Sequence, residues 1–167
     1  ILAAVVGAAL AVATAFAAVS STVGAGTMAH SDLFGGPATV LMRTLTIAPG
    51  ETLGWHAHPG VGAYTVVTQG TLVVEDGCGG ETIYTAGQAF LEPPFRVHRG
   101  KNLTESTVVT AQTFIVPAGT PTSEPATRLC GAPLRVAECR SGGWMAFDYP
   151  RAFQSQGDCE QYVITGK

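Results

Sequence analysis

The chain has 167 residues, of which only 13% are charged, and its formal net charge is −3. This length fits one well-buried domain with a short additional unit and excludes two domains of ordinary size. The low charge excludes the basic surface with which proteins neutralise phosphates, so we expect no nucleic-acid partner.

Residues 1–20 form an apolar segment that contains no charged side chain. About twenty such residues in a helix span the ~30 Å hydrocarbon core of a bilayer, whereas the small residues around Ala15 to Ala18 also fit a signal-peptidase site. We therefore predict a transmembrane signal anchor, with a cleaved signal peptide as the alternative. Either interpretation places the following residues outside the cytoplasm, anchored to a bacterial plasma membrane or released into the periplasm or medium.

Small residues recur at every fourth position of this segment, namely Ala3, Gly7, Ala11 and Ala15. In a membrane helix they share one face, and this pattern lets a second helix approach closely. The predicted partners are therefore the membrane and, through this face, other membrane subunits. Chance spacing in an alanine-rich signal peptide is the alternative.

The residues after this segment divide into a linker, a β-rich domain, a second linker and a small terminal unit. Residues 21–36 are small, polar and glycine-rich, which predicts a linker. Between residues 37 and 117, short β-branched segments alternate with turn residues. They predict strands at 38–47, 62–68, 71–75, 82–85, 88–92, 95–99 and 107–116, and such short, evenly spaced strands favour a sandwich or closed barrel. Residues 118–128 are predicted to be a second linker, and residues 129–167 the small unit.

Three histidines of the β-rich domain are the candidate metal ligands. His56 and His58 are two residues apart, so that on a strand their side chains leave the same face. His98 lies in another predicted strand, and His30 lies in the first linker. Neutral imidazole is a common ligand of transition metals, but a His-x-His pair by itself is more often a pair of partly exposed side chains.

The spacing around these histidines resembles the two motifs of the cupin superfamily, G(x)5HxH(x)4E(x)6G and G(x)5PxG(x)2H(x)3N. The matching positions are Gly50, His56, His58, Gly70, Gly87, Pro93, His98 and Asn102. The resemblance covers about residues 38–116. It implies an all-β, cupin-type jelly-roll β-barrel in which His56, His58 and His98 hold a divalent transition metal (Zn, Fe, Mn, Ni or Cu) and a small molecule binds in the barrel.

Two positions depart from these motifs. Ala63 stands where the family has a metal-binding glutamate, so the predicted site lacks its anionic ligand. Phe95 stands where the family has glycine. Three histidines still hold a divalent metal in known proteins, so a metal remains the expected cofactor, with lower affinity. Glu92, the nearest carboxylate, is expected to be an exposed residue at a strand end.

Further pocket candidates are Tyr64, Arg96 and Gln112. Arg96 lies two residues before His98 and, if the strand begins that early, shares its face and can pair with a substrate carboxylate. A surface arginine is the alternative. Tyr64 and Gln112 lie in predicted strands of the same barrel.

Four cysteines follow the export segment, at positions 78, 130, 139 and 159, and an even count in an exported chain predicts two disulfides with three possible pairings. The pattern C-x-x-G-G-W-x-x-F followed by F-x-x-Q-G-x-C-x-x-Y-V resembles a short C-terminal module of exported bacterial proteins. That resemblance implies a Cys139–Cys159 disulfide and, with it, a Cys78–Cys130 disulfide. Its aromatic residues are expected to form a miniature core, with a carbohydrate- or protein-binding surface as the alternative.

Three functions remain open on these residues. The first is a metal-dependent enzyme acting on a small molecule, of oxygenase or isomerase type by analogy with the superfamily. The second is a non-catalytic accessory subunit of a membrane or cell-envelope complex, with a degraded site that Ala63 would explain. The third is a sugar- or ligand-binding module that holds no metal.

Overall fold

In the computed structural model residues 18–147 and 149–167 are described, and β-strands dominate the part before residue 118. The strands are β1 (Val19–Ser31), β2 (Gly36–Ile47), β3 (His56–Ala57), β4 (Ala63–Gln69), β5 (Thr71–Asp76), β6 (Glu81–Thr85), β7 (Ala89–Glu92), β8 (His98–Lys101), β9 (Val108–Pro117) and β10 (Glu124–Pro125). Three short helical elements follow, α1 (Val136–Cys139), a 3-10 turn (Gly143–Ala146) and α2 (Gln156–Thr165).

The strands form two antiparallel five-stranded sheets of jelly-roll type. The order is β1-β2-β9-β4-β7 in the first sheet and β10-β3-β8-β5-β6 in the second. Among the described residues, the ladders of the two sheets do not join into a closed barrel. The predicted all-β jelly roll is therefore correct for residues 37–117, whereas the predicted closure is not observed and the C-terminal unit is helical.

The inner face of the first sheet follows the strict alternation of strand β9. Val108, Thr110, Gln112, Phe114 and Val116 are buried, and the residues between them are partly exposed. Because side chains alternate across a strand, this pattern assigns one face to the core. The main apolar cluster of the sheets includes Val108 on this face and, with it, Ile47, Val67 and Leu72.

The predicted linker at residues 21–36 is wrong, because most of it lies in strand β1. This strand pairs with β2 from Val19 opposite Thr46 to Ser31 opposite Gly36. Nearly all of its side chains are exposed, so that no apolar period marks it in the sequence. Backbone pairing to β2 holds this edge strand, and His30 lies on it, away from the other histidines.

The predicted membrane anchor falls on residues 1–20, and residues 1–17 lie outside the described part of the chain. Within residues 18–147 and 149–167, no helix has both the length and the apolar character needed to cross a bilayer.

The C-terminal unit has its own small core, which contains both disulfides. The structure forms the two predicted bonds, Cys78–Cys130 and Cys139–Cys159. The aromatic side chains of Trp144, Phe147, Phe153 and Tyr162 pack in this cluster. Tyr149, expected in the same core, is 57% exposed. So small a unit buries little apolar area, which is why a covalent bond between α1 and α2 matters for its stability.

Candidate metal centre

The three candidate histidines converge, although they come from separate parts of the chain. His56 in β3 is the direct cross-strand partner of His98 in β8, and His58 follows two residues after His56. The centroids of the three rings are 4.5 to 5.1 Å apart. The rings therefore surround a common point between the two sheets.

Backbone carbonyls fix the orientation of all three rings. The Nδ1 atom of His56 lies 2.8 Å from the Gly54 carbonyl oxygen. The Nδ1 atom of His58 lies 2.7 Å from the Thr122 carbonyl oxygen. The Nδ1 atom of His98 lies 2.9 Å from the Arg96 carbonyl oxygen. A carbonyl oxygen only accepts hydrogen bonds, so each Nδ1 carries a proton and donates it. In a neutral ring the Nε2 atom then carries the lone pair and can bind a metal, whereas an Nε2 atom that donates to a carboxylate must first lose its proton.

Glu92 brings a carboxylate into the centre of this cluster. Its Oε2 atom lies 2.8 Å from the Nε2 atoms of both His58 and His98. Its Oε1 atom accepts from the Thr65 hydroxyl and, at 3.1 Å, from the Gln112 amide. The side chain of Glu92 is 6% exposed, so the expectation of an exposed strand-end residue is wrong.

The strand register explains why Glu92 reaches the position left vacant by Ala63. Ala63 in β4 is the direct partner of Glu92 in β7. Side chains of such a pair leave the same face with Cβ atoms about 5 Å apart. Gly62 allows the close approach, because a Cβ atom there would lie 2.1 Å from the Glu92 carbonyl oxygen. The carboxylate is thus carried by the neighbouring strand.

The charges of the cluster suit a cation. Burial raises the pKa of Glu92, but its hydrogen bonds with His58 and His98 outweigh that effect and hold the pKa well below the usual range. Burial, together with the nearby His98, lowers the pKa of His56 to about 4. Burial also opposes protonation of His98, but the hydrogen bond to Glu92 and the charge of Glu92 raise its pKa. The site therefore offers an ionised Glu92 carboxylate and a neutral His56 to a cation, and His98 must be deprotonated to bind it.

These four residues fit a divalent transition metal, and we call them the metal cluster (His56, His58, Glu92 and His98). One ligand atom from each lies within 4.8 Å of the others. Three imidazole nitrogens with one carboxylate oxygen suit Zn, Fe, Mn, Ni or Cu. The Glu92 carboxylate supplies the anionic ligand that three histidines alone would lack, so the absence of a glutamate at position 63 does not leave the site without one.

A cavity of about 370 Å³ adjoins the metal cluster between the sheets. His56, Glu92 and His98 form part of its wall, and Arg43, Thr110 and Gln112 add polar groups from the first sheet. The remaining wall is mainly apolar and includes Leu45, Ile47, Leu53, Trp55, Leu72, Val74 and Pro125.

Of the three predicted pocket residues, only Gln112 lies in this cavity. Gln112 is buried, donates to Glu92 and accepts from the Nε of Arg43 at 2.8 Å. Tyr64 lies on the outer face of the first sheet and is 54% exposed, because its neighbours Ala63 and Thr65 take the inner positions. Its prediction as a pocket residue is therefore wrong.

Arg96 is also placed differently from the prediction. Strand β8 begins at His98, so that Arg96 precedes the strand and does not share its inner face. Its guanidinium group donates to the Ala132 carbonyl and lies 3.8 Å from the carboxylate of Glu138. It lines a second cleft, between the barrel and the C-terminal unit, and holds that unit in place.

Residues 120–132 cross the edge of the second sheet beside the metal cluster, and we call them the crossing segment. Pro125 pairs with His56, the Ala126 amide donates to the Trp55 carbonyl, and Cys130 is bonded to Cys78. The Thr122 carbonyl within it orients His58. The prediction of a linker at residues 118–128 is thus corrected, since this segment is bound along the second sheet and orients His58.

Sequence reasoning missed Glu92, Arg43 and the crossing segment. Glu92 immediately precedes Pro93 of the second motif, but only the pairing of β4 with β7 reveals that it faces Ala63. Arg43 lies in a predicted strand, and its inward position follows from sharing a face with Leu45 and Ile47, which also line the cavity.

The comparisons agree with this architecture. A family model described as a cupin domain matches residues 43–116. The chain is similar in structure to an uncharacterized conserved protein with a double-stranded beta-helix domain from Klebsiella pneumoniae, with a TM-score of 0.51 and 17% identity, over 68% of this chain and 88% of that one.

A second similar structure is the cupin domain of an XRE family transcriptional regulator from Enterobacter cloacae, with a TM-score of 0.45 and 16% identity, over 60% of this chain and 97% of that one. The search of curated proteins found no match. At 16–17% sequence identity, these structural similarities are evidence for the fold alone. Both motifs, the jelly-roll sheets and the matching domain model agree that residues 43–116 form a cupin domain.

Proposed function

We propose that this chain is an extracytoplasmic metal-binding cupin, in which the metal cluster holds one divalent transition-metal ion beside a cavity for a small molecule. One observation carries the proposal. The Nε2 atoms of His58 and His98 meet the same Glu92 oxygen at 2.8 Å, while the Nδ1 atoms of all three histidines are held by backbone carbonyls. A ligand set oriented in this way loses little side-chain freedom when it binds an ion.

The cavity supports a role beyond storage of the ion. His56, Glu92 and His98 belong both to the metal cluster and to the cavity wall, so that a small molecule in the cavity would lie next to the ion. When bound, a divalent ion in such a site polarises an oxygen or carbonyl of its ligand as a Lewis acid. We assign no reaction, because fold likeness does not identify chemistry.

The two disulfides support a location outside the cytoplasm, because such bonds persist mainly in oxidising compartments. We propose that residues 1–20 direct this export. Intact mass of the protein from its native membrane fraction, before and after reduction, tests both points. A mass that includes residues 1–20 supports an anchor, and a mass without them supports a cleaved signal peptide.

The alternative of an accessory subunit with a degraded site has less support. The alternative was suggested by the absence of a carboxylate at Ala63, by the small-residue face of residues 1–20 and by the disulfide-bonded terminal unit, and Glu92 removes the first of these reasons by placing a buried carboxylate opposite Ala63. A degraded site would not be expected to keep four potential ligand atoms within 4.8 Å of one another.

Metal titration of the stripped protein tests the proposed function. We expect the wild-type chain to take up one Zn²⁺ per molecule by calorimetry and elemental analysis. His98→Ala removes a ligand and should weaken binding by about 100-fold or more. His30→Ala is the matched control, because His30 lies exposed on β1 and pairs with Asp32. A wild-type chain that binds none of the five candidate metals would refute the proposal.

A further inference from the structure

Arg43 places a positive charge inside the cavity without forming a direct ion pair there. It is the only lysine or arginine among the described residues that line this space. Its Nε donates to Gln112, and its guanidinium lies over the Phe114 ring, 4.7 Å from the ring centroid. Within the described part of the chain, no carboxylate lies within ion-pair distance, and its two terminal nitrogens have no hydrogen-bond acceptor. Burial lowers the pKa of Arg43, the charge of Glu92 partly offsets that effect, and an arginine remains charged at neutral pH.

A second polar group in the same cavity also lacks a partner. Thr110 is 1% exposed, and its hydroxyl is the one buried side-chain oxygen or nitrogen in residues 18–147 and 149–167 without a hydrogen bond. Leaving a buried hydroxyl unpaired costs about 1–3 kcal/mol. Native proteins rarely keep such a group, so we infer that water or a ligand in the cavity supplies its hydrogen-bonding partner.

The strand register places these two groups next to each other on one face. Arg43 pairs with Gln112, and Leu45, two residues along β2, pairs with Thr110, two residues before Gln112 along β9. Arg43 and Thr110 therefore occupy adjacent diagonal positions on the inner face, within reach of one small polar group. The wall beside them is aliphatic, with Leu45, Ile47 and Leu72.

From this arrangement we propose that the cavity binds a small organic carboxylate, whose acid group is held by Arg43 and Thr110 and whose apolar body lies on the aliphatic wall. The proposal deepens the proposed function, on which it rests for the role of the adjacent metal. The planar guanidinium offers two parallel N–H groups that match a carboxylate. A volume of about 370 Å³ suits a molecule at the small end of the usual range for ligand pockets.

Gln112 gives the arrangement its rigidity. Its amide nitrogen donates to Glu92 and its amide oxygen accepts from Arg43, so one side chain links the metal cluster to the guanidinium. The carboxylate site is thereby held at a fixed position relative to the metal. A merely structural role for Arg43 would consist of its hydrogen bond to Gln112 and its contact with the Phe114 ring, and the experiment must separate that role from carboxylate recognition.

The test compares acids with their uncharged amides on the wild-type chain. Hexanoate, isovalerate and phenylacetate, each with its primary amide, are titrated by calorimetry into both the metal-stripped and the Zn²⁺-loaded protein. We expect at least one acid to bind about tenfold or more tightly than its amide, because the amide cannot form the charged bidentate pair. If no acid in either state binds more tightly than its amide, the proposal is wrong.

Variants then assign the recognition to its residues. Arg43→Met keeps most of the length of the side chain and should lose the preference for the acid, whereas Arg43→Lys should keep only part of it. Arg140→Met is the matched control, because Arg140 is 64% exposed and pairs with Glu160 on the surface. Thr110→Val removes an unpaired hydroxyl, so it should fold at least as stably as the wild type and yet bind the acid several-fold more weakly.

Zn²⁺ stoichiometry is measured on every variant. Loss of the acid preference with metal uptake intact identifies Arg43 as the recognition residue. An Arg43→Met protein that keeps the preference refutes the assignment. If the wild type binds acids but no metal, the proposed function fails while the inference from Arg43 stands.

Discussion

Exchange of the residues at positions 63 and 92 is the sharpest test of the metal cluster. Glu92→Gln keeps the shape of the side chain but replaces an anionic ligand by a neutral amide. Both Glu92 oxygens are engaged in the structure, Oε2 with His58 and His98 and Oε1 with Thr65 and Gln112. The amide nitrogen of the introduced glutamine would face partners that now meet a carboxylate, so both charge and acceptor capacity are lost.

We expect the affinity for Zn²⁺ to fall by about 100-fold, which corresponds to roughly 2.7 kcal/mol. This is at the upper end of the loss found when a residue supporting a metal ligand is removed, and Glu92 is itself within bonding reach of the ion's position. Affinity is measured by competition with a chelating dye, because direct titration does not resolve tight binding. Thermal unfolding of each metal-free variant checks that the fold is retained.

The double variant Ala63→Glu with Glu92→Ala should then recover most of the loss. These positions are cross-strand partners, and the exchange conserves the total side-chain volume of the pair. A glutamate at position 63 would leave the same inner face and reach the imidazoles from the adjacent strand. Wild-type metal affinity in Glu92→Gln, or a double variant no better than Glu92→Ala alone, would refute the assignment of Glu92 as a ligand.

Three further predictions concern the scaffold. Asn102→Ala should lower the free energy of unfolding by roughly 2–3 kcal/mol in urea titration, because the Asn102 amide donates to the carbonyls of Ile47, Ala48 and Ser106. Gln154 is exposed, so the control variant Gln154→Ala should have little effect. The double variant Cys78→Ser with Cys130→Ser should weaken Zn²⁺ binding by about tenfold in dye competition, because the crossing segment then orients His58 less firmly. Unchanged affinity would contradict this role of the crossing segment. The double variant Cys139→Ser with Cys159→Ser should destabilise the C-terminal unit by about 3 kcal/mol, which is measured as faster proteolysis after residue 132. Its Zn²⁺ affinity should stay the same. A loss of Zn²⁺ affinity as large as that of the Cys78 and Cys130 variant would show that this unit supports the site.

Most of the β-rich domain was predictable from the sequence because its strands bury one face. The alternation in β9 and the turn residues between strands are local signals, so the predicted bounds agree closely with those observed for β2, β4, β5 and β9. Strand β1 was not predicted because both of its faces are largely exposed. The predicted strand at 95–99 began too early, since a turn at residues 94–95 precedes the start of β8 at His98.

The convergence of the three histidines was also predictable, because the spacing of two short motifs indicated it. Histidines two positions apart on a strand share a face, and the motif spacing indicates which segments carry the three histidines. Motif spacing alone, however, led to the conclusion that the site lacks an anion. The sequence around Ala63 contains no signal that the missing carboxylate lies 29 positions later, at Glu92.

The sequence alone therefore indicated the strands with one buried face and the three histidines that converge, and its resemblances to known families indicated the cupin domain and the pairing of the cysteines. Only the tertiary structure decided that Glu92 faces the histidines, that Arg43 and Thr110 meet in the cavity, and that Arg96 turns toward the C-terminal unit. The physical reason is that strand periodicity and motif spacing are properties of neighbouring residues, whereas cross-strand register joins residues that are distant in the chain.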